Sequence, residues 1–212
     1  VTVAQFRGWT KRAVEFYDGL EADNSKTYWH AHKPIYDEYV RAPMEQLTAA
    51  LASEFGEAHI FRPNRDTRFS ADKTPYKTAI AAHLDKGGYV QFSADGLGVG
   101  CGMYMMTSDQ LERYRRAVDA NRSGAALERL VARLEEQGIE VTGRQQLTTA
   151  PKGYPKDHPR IELLRNKGLH AWQEWPFGAW LATRTVVDRV TESLRATKPL
   201  MQWLNKEVGP AS

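Results

Sequence analysis

The chain has 212 residues, 42% of them hydrophobic and 26% charged, with a formal net charge of +3. This length suits one domain, residues 1–212, with a core of its own. No apolar run approaches the ~20 residues of a membrane span, and a net charge this small argues against wholesale binding of duplex nucleic acid, which needs many phosphate contacts.

From Thr10 to Leu20, Ala13, Phe16, Tyr17 and Leu20 recur at three- and four-residue steps, which predicts an amphipathic helix seated by Trp9 and Phe6. No basic-then-apolar signal precedes it, so the expected setting is cytoplasmic. Asn24 and Ser25 mark a second helix start. Tyr28, Trp29, His32, Tyr36, Tyr39, Val40, Leu47, Leu51 and Phe55 then trace one stripe as far as Gly56, and Pro34 and Pro43 are expected to kink or restart the helix. His30 and His32 lie two residues apart, about 200° around a helix, so their rings face opposite ways. The other histidines lack zinc-like spacing, and no metal or cofactor is expected.

Thr78–Leu84 reads as a strand, Asp85–Gly88 as a turn, Tyr89–Ser93 as a second strand and Leu97–Met106 as a third. In the third, Leu97, Val99, Cys101, Met103 and Met105 share one face, while Gly98, Gly100 and Gly102 share the other beside Tyr104. Two readings of that bare face stand. A helix or an aromatic ring approaches the sheet closely there, or the face is a pocket floor. Cys101, the one cysteine, cannot form an internal disulfide and reads as a buried, inert thiol.

Thr107 and Gln110, at capping-box spacing, open a helix to Ala120 with Leu111, Tyr114, Arg115 and Val118 on one face. Ser123 reads as the cap of a further helix carrying Leu127, Leu130, Val131 and Leu134, which stops at Gly138 before a short strand, Ile139–Thr142. A proline- and glycine-punctuated loop from Pro151 leads into a short helix around Ile161, Leu163 and Leu164. A strand is expected over Leu169–Trp175, then closing helices over Phe177–Arg195 and Pro199–Val208. Trp172, Trp175, Trp180 and Trp203 are read as packing residues.

These elements predict an α+β fold: an antiparallel meander sheet over about residues 78–106, covered by helices from both ends of the chain. Oligomeric state and strand order beyond the meander stay open.

The stretch Phe61–Lys77, FRPNRDTRFSADKTPYK, feeds the first strand and concentrates charge. Arg62, Arg65, Arg68, Lys73 and Lys77 against Asp66 and Asp72 leave it at +3. Pro151–His170 is again +3, so the remaining residues sum to −3. Pro63 and Pro75 bias Arg62 and Thr74 towards extended backbone, and Ser70 through Lys73 reads as a capped turn whose N–H groups favour an anion.

Guanidinium groups fit carboxylate or phosphate oxygens two at a time. The first reading is therefore a basic pocket of Arg65, Arg68, Lys73, Lys77, Lys152 and Arg165 for a small anionic or phosphorylated ligand. If chemistry occurs there, Asp66, Asp72, Tyr76 and His158 are the available acid or base groups. A second reading is a non-catalytic module docking an acidic protein or single-stranded nucleic acid, with Phe69, Tyr76 and Tyr154 as stacking surfaces. A third is a purely structural Arg/Asp network.

The motifs also carry a likeness. Phe6, Trp9 and Phe16, the Asn24-Ser25 start, the run from Arg65 to Lys77, Pro151-Lys-Gly-Tyr, Asp157-His-Pro and Leu163-Leu-Arg-Asn-Lys together resemble a family of uncharacterised, mostly microbial proteins, domain of unknown function 2461. The likeness covers almost the whole chain and is most specific in the arginine-rich run. One departure is visible: the family's paired asparagines followed by Trp and Phe are matched here by Ser25, Tyr28 and Trp29. The resemblance supports the fold reading and carries no reaction, cofactor or catalytic residue.

Overall fold

The computed structural model describes residues 8–68 and 71–211; the expectations placed on Phe6, Phe69 and Ser70 lie outside the described residues. Lys11–Ala22 forms α1, burying Ala13, Phe16, Tyr17 and Leu20. Each large apolar chain buried in this way is worth ~1.5–3 kcal/mol, which explains why the helix forms although Thr10 makes no side-chain capping bond.

Ser25 opens α2, Lys26–Ile35, its hydroxyl oxygen accepting the Tyr28 N–H at 3.1 Å. Pro34 lies inside this helix with no N–H to donate. The expected kink takes the form of a widened π-helical segment, Tyr36–Arg41, which buries Tyr36 and Val40. Ala42–Phe55 follows as α3, with Pro43 in its first turn and Gly56 ending it at φ +82°.

Six strands form one antiparallel sheet: β1 Ala58–Ile60, β2 Ala79–Leu84, β3 Tyr89–Ser93, β4 Gly96–Met103, β5 Glu140–Thr142 and β6 Leu169–Pro176, in the order β1-β2-β3-β4-β6-β5. The β2–β3 register sets Ile80 opposite Phe92 and Ala82 opposite Val90, so these four share a face, and all are buried. β4 stops short of the expected Met106. Tyr104 and Met105 turn outward, 50% and 70% exposed, before Met106 is buried again.

The chain divides into two compact units, one running to Val99 together with Glu174–Glu192, the other Gly100–Gln173 with Ser193 onward. β4, β6 and the long final helix α7, Thr185–Glu207, give residues to both. In the first unit the helices before β1 cover the β1–β3 side of the sheet around an aromatic core. Trp9 stacks on Phe92 at 4.7 Å and donates its indole N–H to the Val40 carbonyl at 3.1 Å. Phe16 meets Tyr17, Tyr28, Trp29 and Tyr36.

In the second unit α4, Ser108–Asp119, carries the expected Thr107/Gln110 capping box. Tyr114, Val118, Leu127, Leu164, Leu200 and Leu204 are completely buried in one cluster. α5 runs Asn121–Glu136, starting two residues before the expected cap; the Ser123 hydroxyl instead donates back to the Ala117 carbonyl at 2.6 Å. α6, Ile161–Arg165, is the expected short helix. The two closing helices are different from the expectation: a 3-10 turn, Ala179–Ala182, precedes α7, which continues through Pro199. An internal proline costs a helix ~3 kcal/mol, and the full burial of Leu200 and Leu204 just beyond it offsets that cost.

The bare face of β4 is a close-packing surface. A Cβ on Gly100 would lie 2.4 Å from the Ala171 carbonyl oxygen and 2.5 Å from the Trp172 ring, and one on Gly102 2.4 Å from the Leu169 oxygen. The Trp172 ring packs against Gly100, the ring approach that the sequence allowed, and the neighbouring strand β6 leaves no room for a side chain at either glycine. On the opposite face the Cys101 thiol donates to the Thr197 carbonyl at 3.7 Å, and burial pushes its pKa up to about 11.

Candidate functional site

The basic stretch of the first unit is an extended hairpin-like excursion. Beyond β1 the pairing continues irregularly: Phe61 N–H to Ala81 O, Lys77 N–H to Pro63 O and Arg65 N–H to Pro75 O, each at 2.9 Å, with an isolated bridge between Asn64 and Tyr76. The base of the excursion is pinned from outside the sheet. Asn24 Oδ1 accepts the Tyr76 N–H and Asn24 Nδ2 donates to the Tyr76 carbonyl, both at 3.0 Å. An amide side chain thus substitutes for a strand's peptide group. The Tyr76 ring, 4% exposed, stacks on Trp29 at 4.3 Å and 9°.

Within the loop the charges close on one another. Arg65 pairs with Asp72 and donates to the Thr74 hydroxyl at 2.8 Å, while Asp72 Oδ1 accepts from the Thr74 N–H at 2.9 Å and its hydroxyl at 2.8 Å. Arg68 forks onto Asp66, Nε to Oδ1 at 3.0 Å and Nη2 to Oδ2 at 2.8 Å. The Arg68 guanidinium and then its backbone N–H hold the Asp66 carboxyl below the usual carboxylate value; for Asp72 the Thr74 N–H and hydroxyl lead, with Arg65 adding to them.

The lysines behave differently. Lys73 donates to the Thr67 carbonyl at 2.9 Å and Lys77 to the Arg62 carbonyl at 3.0 Å. Burial, followed by the Arg62 and Arg65 guanidiniums, holds the Lys77 ammonium below its ordinary value. Arg62 is exposed and, among the described residues, no carboxylate pairs with it or with Lys77. These two cations open onto a cleft of about 410 Å³. Its other walls are Tyr36 and Arg41 from the π segment and residues 59–63 from β1 and its continuation.

The second basic stretch belongs to the other unit. There Arg165 pairs with Glu162 at 3.1 Å and bonds the Leu147 carbonyl, while Lys152 is exposed. His158, whose side chain is 9% exposed, uses both ring nitrogens: Nδ1 accepts the Arg160 N–H at 2.9 Å, which leaves the proton on Nε2, 3.1 Å from Asp119 Oδ1. Arg160 pairs with Glu128 at 2.7 Å and reaches the Val118 and Asp119 carbonyls at the end of α4.

Sequence reasoning missed Asn24, which it treated as a helix start; in the fold Ser25 caps the helix and Asn24 clamps Tyr76. It also missed Arg41 and His59, since only the π turn and the β1–β2 pairing bring them beside Lys77. Arg62 was counted in the charge of the stretch and read as extended backbone, but was not named among the contacting cations.

A search of curated proteins returned no match to the chain. Among solved structures, a conserved hypothetical protein from Pyrococcus furiosus is similar over 80% of this chain and 96% of its own, at 11% identity and a TM-score of 0.38. The profile of the conserved hypothetical protein family DUF2461 matches residues 12–203, nearly the whole chain, and the protein belongs to that family.

Proposed function

We propose that the protein binds a small anionic or phosphorylated molecule through the basic loop of its first unit, with Arg65, Arg68, Lys73 and Lys77 as the contacting cations. One observation carries this reading. The loop's two aspartates are each taken by one arginine, Asp72 by Arg65 and Asp66 by Arg68, so Arg62, Lys73 and Lys77 keep their positive charge without a carboxylate pair among the described residues. A depressed lysine beside two guanidiniums is a place where an incoming anion relieves repulsion. On this reading Asp66 and Asp72 position the arginines. Lys152 and Arg165 are candidate cations of the same kind in the second unit.

The test is thermal unfolding against phosphorylated and carboxylated metabolites. A ligand at 100 times its dissociation constant adds ~2.7 kcal/mol, which raises the midpoint of a chain this long by roughly 5 to 10 °C. The shift is expected in the wild type and lost in a folded Lys73→Ala/Lys77→Met variant; no shift with any compound overturns the proposal.

A second reading has its own support. The closed Arg65–Asp72–Thr74 and Arg68–Asp66 sets are what an internal scaffold needs to hold a loop that no strand satisfies fully. Under it Arg65→Ala lowers the midpoint of the protein alone and no anion raises it.

A further inference from the structure

The cleft beside Lys77 has two kinds of wall. One is cationic: Arg62, Lys77 and Arg41, the last engaged by Glu45 at 2.8 Å. The other is apolar and aromatic: Phe61, Pro63 and Tyr36. None of the lining residues is acidic. Lys77 Nζ also stands 5.4 Å from the centre of the half-buried Phe61 ring, so the charge and the ring are adjacent. The volume, about 410 Å³, falls in the lower part of the ~300–1,000 Å³ range of small-molecule sites.

The local backbone is built for this arrangement. The π segment directly follows the turn of α2 that holds Pro34 and carries the buried Tyr36 and the exposed Arg41, both of which line the cleft; π turns of this kind recur at functional sites. Burial pushes the Tyr36 hydroxyl up to about 12.

We propose that this cleft binds a small anion bearing a planar ring, an aryl phosphate or a molecule up to the size of a nucleoside monophosphate, with the anionic group on Arg62 and Lys77 and the ring against Phe61 and Pro63. The proposal rests on the anion-binding reading above and narrows it to one site and one ligand shape. A bare inorganic anion leaves the apolar wall wet, and an uncharged ring leaves the two cations facing each other, so the ring and the charge should both be needed.

The experiment is calorimetric titration of phenyl phosphate, inorganic phosphate and phenol into the wild type, Arg62→Ala, Phe61→Leu, Phe61→Ala and Arg68→Ala. Arg62 is exposed and, among the described residues, pairs with no carboxylate, so its removal should leave the fold intact. Phenyl phosphate should bind the wild type at least tenfold more tightly than inorganic phosphate, and phenol should not bind measurably. Arg62→Ala should lose tenfold or more for both phosphates. Phe61→Ala should abolish the preference for phenyl phosphate, and Phe61→Leu should keep part of it. Equal affinity for the two phosphates, or binding of phenol as tight as phenyl phosphate, overturns the inference. Binding that survives Arg62→Ala and disappears in Arg68→Ala also overturns it while the wider anion reading stands. No binding of either phosphate by the wild type overturns it, and the metabolite scan above then decides the wider anion reading.

Discussion

The side-chain amide of Asn24 meets the backbone of Tyr76 twice across 52 residues of sequence, accepting its N–H and donating to its carbonyl at 3.0 Å each. This two-point clamp ties the start of α2 to the base of the basic loop, and the Trp29–Tyr76 stack lies directly beside it. Removing both bonds in Asn24→Ala should cost about 2 kcal/mol, at about 1 kcal/mol for each neutral hydrogen bond. The midpoint should fall by roughly 4 to 8 °C and exchange at the Tyr76 amide should accelerate. A variant with wild-type midpoint and wild-type exchange would show that the clamp does not hold the loop.

The loop should also loosen in acid. The folded-state pKa values of Asp66 and Asp72 lie below their ordinary value of 3.8, so their contribution is present above that value and is lost as pH falls through the lower folded values. Amide exchange at Arg68 and Thr74, whose N–H groups donate to these carboxylates, should therefore begin to speed up only below about pH 4, relative to the intrinsic rate. Loss of protection already at pH 5 to 6 would contradict the assignment.

Gly100 and Gly138 offer a contrast of mechanism. Alanine at Gly100 meets the Ala171 carbonyl and the Trp172 ring at 2.4 and 2.5 Å, neither of them free to give way, and should destabilise by up to ~3 kcal/mol. Gly138 has nothing within 4 Å but sits at φ +74°, so Gly138→Ala should cost about 1 kcal/mol through backbone strain alone. Chemical denaturation of both variants checks the order; a harmless Gly100→Ala would contradict the close packing of β4.

Much of the fold was legible because its signals are local. The stripe Ala13, Phe16, Tyr17, Leu20 is α1, the alternating run Tyr89–Ser93 is β3, and the Thr107/Gln110 spacing is a real capping box. What was misread depends on distant partners. β1 has only three residues and exists because Ala58, His59 and Ile60 pair with Leu84, His83 and Ala82. Ser123 looked like a cap, but the tight α4–α5 junction turns its hydroxyl back onto Ala117. Pro199 looked like a break and is carried by the burial of Leu200 and Leu204. At the candidate site the charge surplus was readable, while the division of labour was not: which cations are paired and which face the cleft is decided by the loop's own turns and by Asn24 from α2's edge.

Cys101 should be unreactive in the folded state. With its thiol pushed up to about 11 by burial and donating to Thr197 O, it should react with a thiol-specific reagent at pH 8 only after unfolding. Stoichiometric labelling of the native protein within minutes would contradict this.

The most direct test of the unpaired cations is a comparison of phosphate with chloride at matched ionic strength, in the wild type and in Arg62→Ala/Lys77→Met. Phosphate stabilises any folded protein somewhat by exclusion from its surface, and that part is common to both proteins. Taking the phosphate-minus-chloride difference within each protein also cancels whatever the substitutions cost the fold. If the loop's free charge binds anions, phosphate should raise the wild-type midpoint by more degrees than it raises the variant's. Equal rises in the two proteins would contradict anion binding at Arg62 and Lys77.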